Sequence, residues 1–217
     1  MKKCDELLKS YNYSLGNEQK DPISKLKKDS SQVEVKFLIY EIVLWKLNRM
    51  VYLDEDSIKR LLNIKELLDI SKISLEKFLK SDELKNELCE TMKKLMNCGG
   101  IRIAMASTIL HFFCPEFCPI IDKRAYFALY KEKMPERFNK PAEGPNAYLK
   151  YIEKCYNWFK QKEEKGETIE FKNIDKILYQ HDKESNRKVD ELVKVPSPSY
   201  ADIWEGLKEN NSYINRK

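Results

Sequence analysis

The stretch Leu95–Leu129, LMNCGGIRIAMASTILHFFCPEFCPIIDKRAYFAL, restricts the fold more than any other part of the chain. It holds Gly99-Gly100, the only Gly-Gly pair in a sequence with six glycines. Before the pair, Leu84, Leu88, Met92 and Leu95 keep helical spacing behind Ser81, a good N-cap. After it, IAMASTILHFF resumes helical character over 103–113, with small residues at Ala104, Ala106 and Ser107 that permit close helix crossing. Glycines supply the positive φ angles that stop the first helix sharply. Pro115 and Pro119 then hold an extended loop, and Asp122 follows Pro119-Ile120-Ile121 directly, ahead of a short helix KRAYFALY.

Six glycines and eight prolines in 217 residues are few for a sheet-rich protein, which needs turn residues between its strands. The chain therefore reads as all-α, with about ten helices and no strand pattern. Residues 1–32 read as an N-terminal helix and loop, 33–195 as the main helical domain, and 196–217 as a tail with a short helix, ADIWEGLKEN, capped by Ser199. VEVKFLIYEIVLWKLNRMV, 33–51, is apolar on almost every side and predicts a central core helix. Asp56 or Ser57 is expected to cap the next helix and Ser74 a shorter one. Residues 131–146, rich in Pro and charge, read as a surface loop. Tyr148, Ile152, Cys155 and Phe159 mark an amphipathic helix ending before Gly166, and NIDKILYQHDKE a further one.

Net charge is +5 with a pI near 8.7, compatible with an acidic partner such as nucleic acid and equally with a lysine-rich solubilising surface. The first residues lack an apolar signal core, and no window reaches the roughly 18 apolar residues of a membrane span. The six cysteines are scattered, mostly within apolar patterns, and read as reduced thiols. A cytoplasmic protein without a membrane partner is expected.

Several residues are candidates for chemistry. His111, Cys114 and Cys118 form H-x2-C-x3-C, but a structural zinc site takes four ligands in spaced pairs, and the phenylalanines around these cysteines suit buried thiols. No metal or other cofactor is predicted. A Gly-Gly turn opening a helix presents backbone N–H groups and the positive dipole end to an anion, and Lys93, Lys94 and Arg102 flank it. The same turn also serves simply to end a helix. Asp122 has two readings as well: an N-cap of the helix from Lys123, or a rigidly placed carboxylate that stabilises a developing cation or orients water. Trp45, Lys46 and Arg49 share a helix face and either line a groove for an anionic ligand or sit at an exposed helix end.

Taken together, a helix ending at Leu95-x4-Gly100, then Ile101, a second helix with Ala104 and Ser107, and Pro-Ile-Ile-Asp122 about one helix later, resemble the helix-hairpin-helix DNA glycosylase superfamily. Its hairpin reads roughly L-P-G-V-G-x-x-T-A and grips DNA phosphates, and its shared catalytic Asp opens a later helix. Arg102 stands where the second hairpin glycine is usual, and the cysteines of the iron–sulfur branch are missing. Ala104 falls where the bifunctional branch carries its imine-forming lysine. Gly100–Arg124 is most similar to a small bacterial group of glycosylase-like proteins, with Cys118 at a position that group gives to an aromatic residue. Asp175–Glu184 resembles that group's terminal helix, and Trp45-Lys46 its early one.

The resemblance implies two helical halves with a cleft between them, and a monofunctional DNA N-glycosylase acting on a flipped-out base. Asp122 would be catalytic. Lys94, Gly99, Gly100, Arg102, Lys123 and Arg124 would hold the DNA backbone, and Trp45, Lys46 and Arg49 would line the base pocket. DNA is the expected partner, with no required protein partner. The alternative is a non-catalytic helix-hairpin-helix DNA-binding module, or a subunit of a DNA-processing or defence system, in which Asp122 is only a cap.

Overall fold

The computed structural model describes residues 3–10, 53–69 and 71–185, with positions 31, 33, 35, 36 and 39. Trp45, Lys46 and Arg49, most of the 33–51 segment, and the tail with Ser199 lie outside the described residues. Every regular element described is helical. They are α1 (Cys4–Ser10), α2 (Glu55–Leu67), α3 (Leu75–Lys80), α4 (Asp82–Asn97), α5 (Ile103–Phe113), α6 (Lys123–Tyr130), α7 (Gly144–Glu164) and α8 (Ile174–Ser185), with 3-10 turns at Glu136–Asn139 and Phe171–Asn173. None of these helices is long and apolar enough to cross a membrane.

The starts of α3 and α4 follow their expected caps: Ser74 Oγ accepts the Lys77 N–H and Ser81 Oγ the Leu84 N–H, each at 3.3 Å. For α2 the cap is Asp54, whose carboxylate accepts the Ser57 N–H at 2.7 Å, and neither Asp56 nor Ser57 serves. The earlier start turns Ser57 inward, fully buried, with its hydroxyl 3.4 Å from Cys98 Sγ. α4 buries Leu88, Thr91, Met92, Leu95 and Met96, and α5 buries nine of its residues, including Ile103, Ile109, Leu110 and Phe113. Val35 and Ile39 are fully buried, as a core segment requires, while Val33 is 75% exposed.

The segment expected as a surface loop, 131–146, is partly structured. Met134 is buried there, the 3-10 turn follows, and α7 starts at Gly144 with Pro145 in its first turn. A side chain at Gly144 would place Cβ 2.5 Å from Met96 Cε and 2.6 Å from the Phe138 carbonyl oxygen. Glycine here lets α7 approach the end of α4. At its other end α7 closes in a Schellman motif: Gly166, at φ +75°, donates to Glu163, and Glu167 donates to the Lys162 carbonyl.

Packing joins α2 to α4 and α5, and α3 to α4. Separately, α8 packs on α6 and on α1. α7 touches α4, α5 and α6 and so links the two sets. One continuous core runs from Val35 to Leu178, with a small satellite of Cys4, Leu7 and Ile177 where α1 meets α8. α1 is also tied to the α7–α8 turn, because the Cys4 backbone N–H donates to Glu167 Oε2 at 3.0 Å and Lys162 lies 2.7 Å from Glu167 Oε1.

The Cys4 thiol, the Lys162 ammonium and the Cys4 N–H hold the Glu167 carboxyl at about 2, below its ordinary 4.5. A carboxyl depressed by folding stabilises the fold fully above its unfolded value and loses that contribution as pH falls toward the folded value. Hydrogen exchange should therefore show α1 loosening between about pH 4.5 and 2, and Glu167→Gln should remove that step. In denaturant melts, Gly144→Ala should cost roughly 1–3 kcal/mol through overpacking. Gly99→Ala, whose Cβ would meet nothing within 4 Å, should cost far less.

Candidate functional site

Between α4 and α5 the chain reverses in one tight turn. Cys98 N–H donates to the Leu95 carbonyl, and Ile101 N–H to the Cys98 carbonyl at 3.2 Å. Gly100 occupies the third turn position at φ +83°, the left-handed geometry a type II turn needs. α5 begins immediately, with Arg102 as an N-cap that provides no side-chain bond. Its first backbone N–H groups lack helical acceptors and form the positive end of the helix dipole.

The loop after α5 is held by side chains. His111 Nδ1 lies 2.9 Å from the Cys118 carbonyl, Tyr148 Oη donates to the Pro119 carbonyl at 3.0 Å, and Tyr151 Oη to the Ile120 carbonyl at 3.0 Å. Ser107 Oγ accepts the Ile121 N–H at 3.1 Å. A carbonyl only accepts, so His111 carries its proton on Nδ1 toward Cys118. Burial pushes both tyrosine phenols well above their ordinary range, so both stay protonated donors. Four successive loop residues are thus pinned by buried side chains of α5 and α7, ending one residue before Asp122.

Asp122 caps α6. Its Oδ1 accepts the Arg124 N–H at 2.9 Å and the Ala125 N–H at 2.8 Å. Arg124 Nη1 lies 3.1 Å from Asp182 Oδ2 of α8, and its guanidinium sits 5.7 Å from the centre of the Tyr179 ring. Asp182 is almost fully buried.

These elements border one cavity of about 430 Å³, lined by the hairpin and α5 (Gly100, Arg102, Ala104, Met105), the start of α6 (Asp122, Lys123, Arg124), Met134, Glu136 and Asn139 before α7, and Tyr179 of α8. Gly100, Arg102, Asp122, Lys123 and Arg124, all site candidates in the sequence, meet here. Arg102 and Lys123 are exposed and form no ion pair with any described residue. Lys94 is placed elsewhere: its ammonium lies 2.8 Å from Asp56 Oδ2 of α2. Gly99 is exposed at the tip of the turn, outside the cavity lining.

His111, Cys114 and Cys118 are buried. The Cys114 thiol is pushed well above its ordinary value, first by its hydrogen bond to Cys118 and then by burial. Among the described residues no group of three or more His, Cys, Asp and Glu side chains could hold a metal ion. Met105, Met134, Glu136, Asn139 and Tyr179 are cavity residues that sequence reasoning missed. The one available signal was Met134, an apolar residue in a charged stretch. Tyr148 and Ser107 stood out in the sequence only as a core stripe and a small residue, not as loop anchors.

Compared with known proteins, the chain matches no family model, no curated protein and no solved structure.

Ser107→Ala should leave the buried Ile121 N–H without an acceptor and cost about 1–3 kcal/mol in a denaturant titration. Tyr151→Phe should cost a comparable amount by stranding the Ile120 carbonyl.

Proposed function

We propose that this protein is a monofunctional DNA N-glycosylase with a helix-hairpin-helix glycosylase-like fold. The observation that carries this reading is that the Gly100–Arg102 turn and Asp122 border the same cavity, alongside Lys123 and Arg124. Its volume lies within the roughly 300–1,000 Å³ typical of small-molecule sites. The N-terminus of α5, which no side chain caps, opens beside it, and with Arg102 and Lys123 it suits a phosphate of the DNA backbone. On this reading α2–α5 would form one helical half and α6 with α8 the other, joined by the contacts of α7.

The target nucleotide leaves the base stack and its base enters the cavity. Arg102, Lys123 and the α5 N-terminus hold the adjacent phosphates. As the N-glycosidic bond breaks, its electron pair leaves on the base and positive charge grows on the sugar, where the Asp122 carboxylate stabilises it. Water attacks the anomeric carbon, its oxygen remains on the sugar, and its proton goes to the departing base. Ala104, where the resemblance expects an imine-forming lysine, borders the cavity and cannot form an imine.

A second reading, a non-catalytic DNA-binding module, draws on Asp122 Oδ1 accepting two backbone N–H groups, as any capping aspartate does. Asparagine caps helices about as well as aspartate, so Asp122→Asn separates the two roles. On duplexes carrying damaged or modified bases, the glycosylase reading expects Asp122→Asn to slow base release about a hundredfold or more, with binding retained. Base release unchanged by the substitution, or absent in the wild type while DNA is bound, leaves the binding-module reading. Removing Arg102 or Lys123 should weaken binding across sequences, each lowering the salt slope by about one.

A further inference from the structure

The 3-10 turn between α6 and α7 brings hydrogen-bond acceptors to the cavity. Asn139 Nδ2 donates to Glu136 Oε2 at 3.1 Å. A carboxylate only accepts, so the amide nitrogen faces Glu136 and the carbonyl oxygen is turned away from it. Asn139 Oδ1 and Glu136 Oε1 have no further partner among the described residues, and both side chains line the cavity. The cations come from other elements, Arg102 beside the hairpin and Lys123 and Arg124 on α6. Tyr179, Met105 and Met134 supply the aromatic and apolar lining. The cavity thus combines surface for a flat ring, cations for a phosphate, and acceptors for N–H donors on the ring edge.

We propose that the base taken into this cavity carries an exocyclic amino group, as cytosine and adenine do, and donates its N–H hydrogens to Asn139 Oδ1 and Glu136 Oε1. Asparagine and glutamate are the side chains whose oxygens match such amino groups. Uracil and thymine present a carbonyl where cytosine presents its amino group, setting its lone pairs against those of Asn139 Oδ1 and Glu136 Oε1. This assignment rests on the reading of the chain as a protein that takes up a flipped nucleotide, but it does not depend on bond cleavage.

The test is equilibrium binding of the full chain to duplexes with cytosine, adenine, uracil or thymine opposite one abasic position. The amino-bearing sites should bind about tenfold more tightly than the uracil and thymine sites. Asn139→Leu and Glu136→Met should each reduce that preference, read as the ratio of amino-bearing to uracil-site affinity for the same variant. Equal or tighter binding of the uracil and thymine sites overturns the proposal, as does a preference that survives both substitutions. Because the assay reads binding, a chain that binds these duplexes without releasing any base defeats the glycosylase reading alone. A chain with no affinity for any of the duplexes defeats both.

Discussion

The site depends on a loop that cannot satisfy its own backbone. Cys118–Ile121 is apolar and buried, so its carbonyls and its Ile121 N–H are cut off from water. Each such group left unpaired would cost about 1–3 kcal/mol. Ser107 and His111 of α5 and Tyr148 and Tyr151 of α7 meet that demand, one group each. The loop path is therefore dictated by where two helices place four side chains. Asp122, the next residue, inherits a defined position before its own capping bonds are made. Ser107 stands on the helix whose first turn borders the cavity through Arg102 and Ala104, so the hairpin and the carboxylate are referred to one rigid element.

That arrangement requires α7 to sit close to both α4 and α5. Gly144 allows it, since any side chain there would strike Met96 at the end of α4 and the Phe138 carbonyl. Phe138 belongs to the 3-10 turn that carries Glu136 and Asn139 to the cavity. One glycine thus ties the end of the first hairpin helix, the start of α7 and the acceptor-bearing turn together. The Gly100 requirement is different in kind. It comes from backbone geometry at φ +83°.

Local patterns were legible in the sequence where they depend on neighbouring residues. The caps at Ser74 and Ser81, the Asp122 cap, the break at Gly99-Gly100 and the end of α7 before Gly166 all follow from short-range chemistry. Asp54 was missed because several acidic and hydroxyl residues compete for one cap within four positions. The turn at 136–139 and the start of α7 were hidden because Pro and charge dominate that stretch, while Met134 and Gly144 gain their meaning from packing against distant helices. Lys94 shows the same limit. Its position suggested a phosphate grip, but tertiary structure brings Asp56 of α2 to within 2.8 Å of it. The anchoring roles of Tyr148, Tyr151 and His111 rest on contacts 7 to 31 residues apart, which no local pattern encodes.

The cations around the cavity divide by what already holds them. Arg124 is committed to Asp182, a buried carboxylate of α8, and lies against Tyr179, so it braces α6 on α8 and forms wall as much as grip. Arg102 and Lys123 have no such commitment among the described residues. They offer an anion two charges that no ion pair with a described residue neutralises, beside the uncapped N-terminus of α5. At Arg124 an anion would compete with Asp182, a carboxylate of α8 that is almost wholly buried. The two cations without an ion pair thus lie beside the hairpin and at the first residue of α6, whereas Arg124 is held by its pair with Asp182.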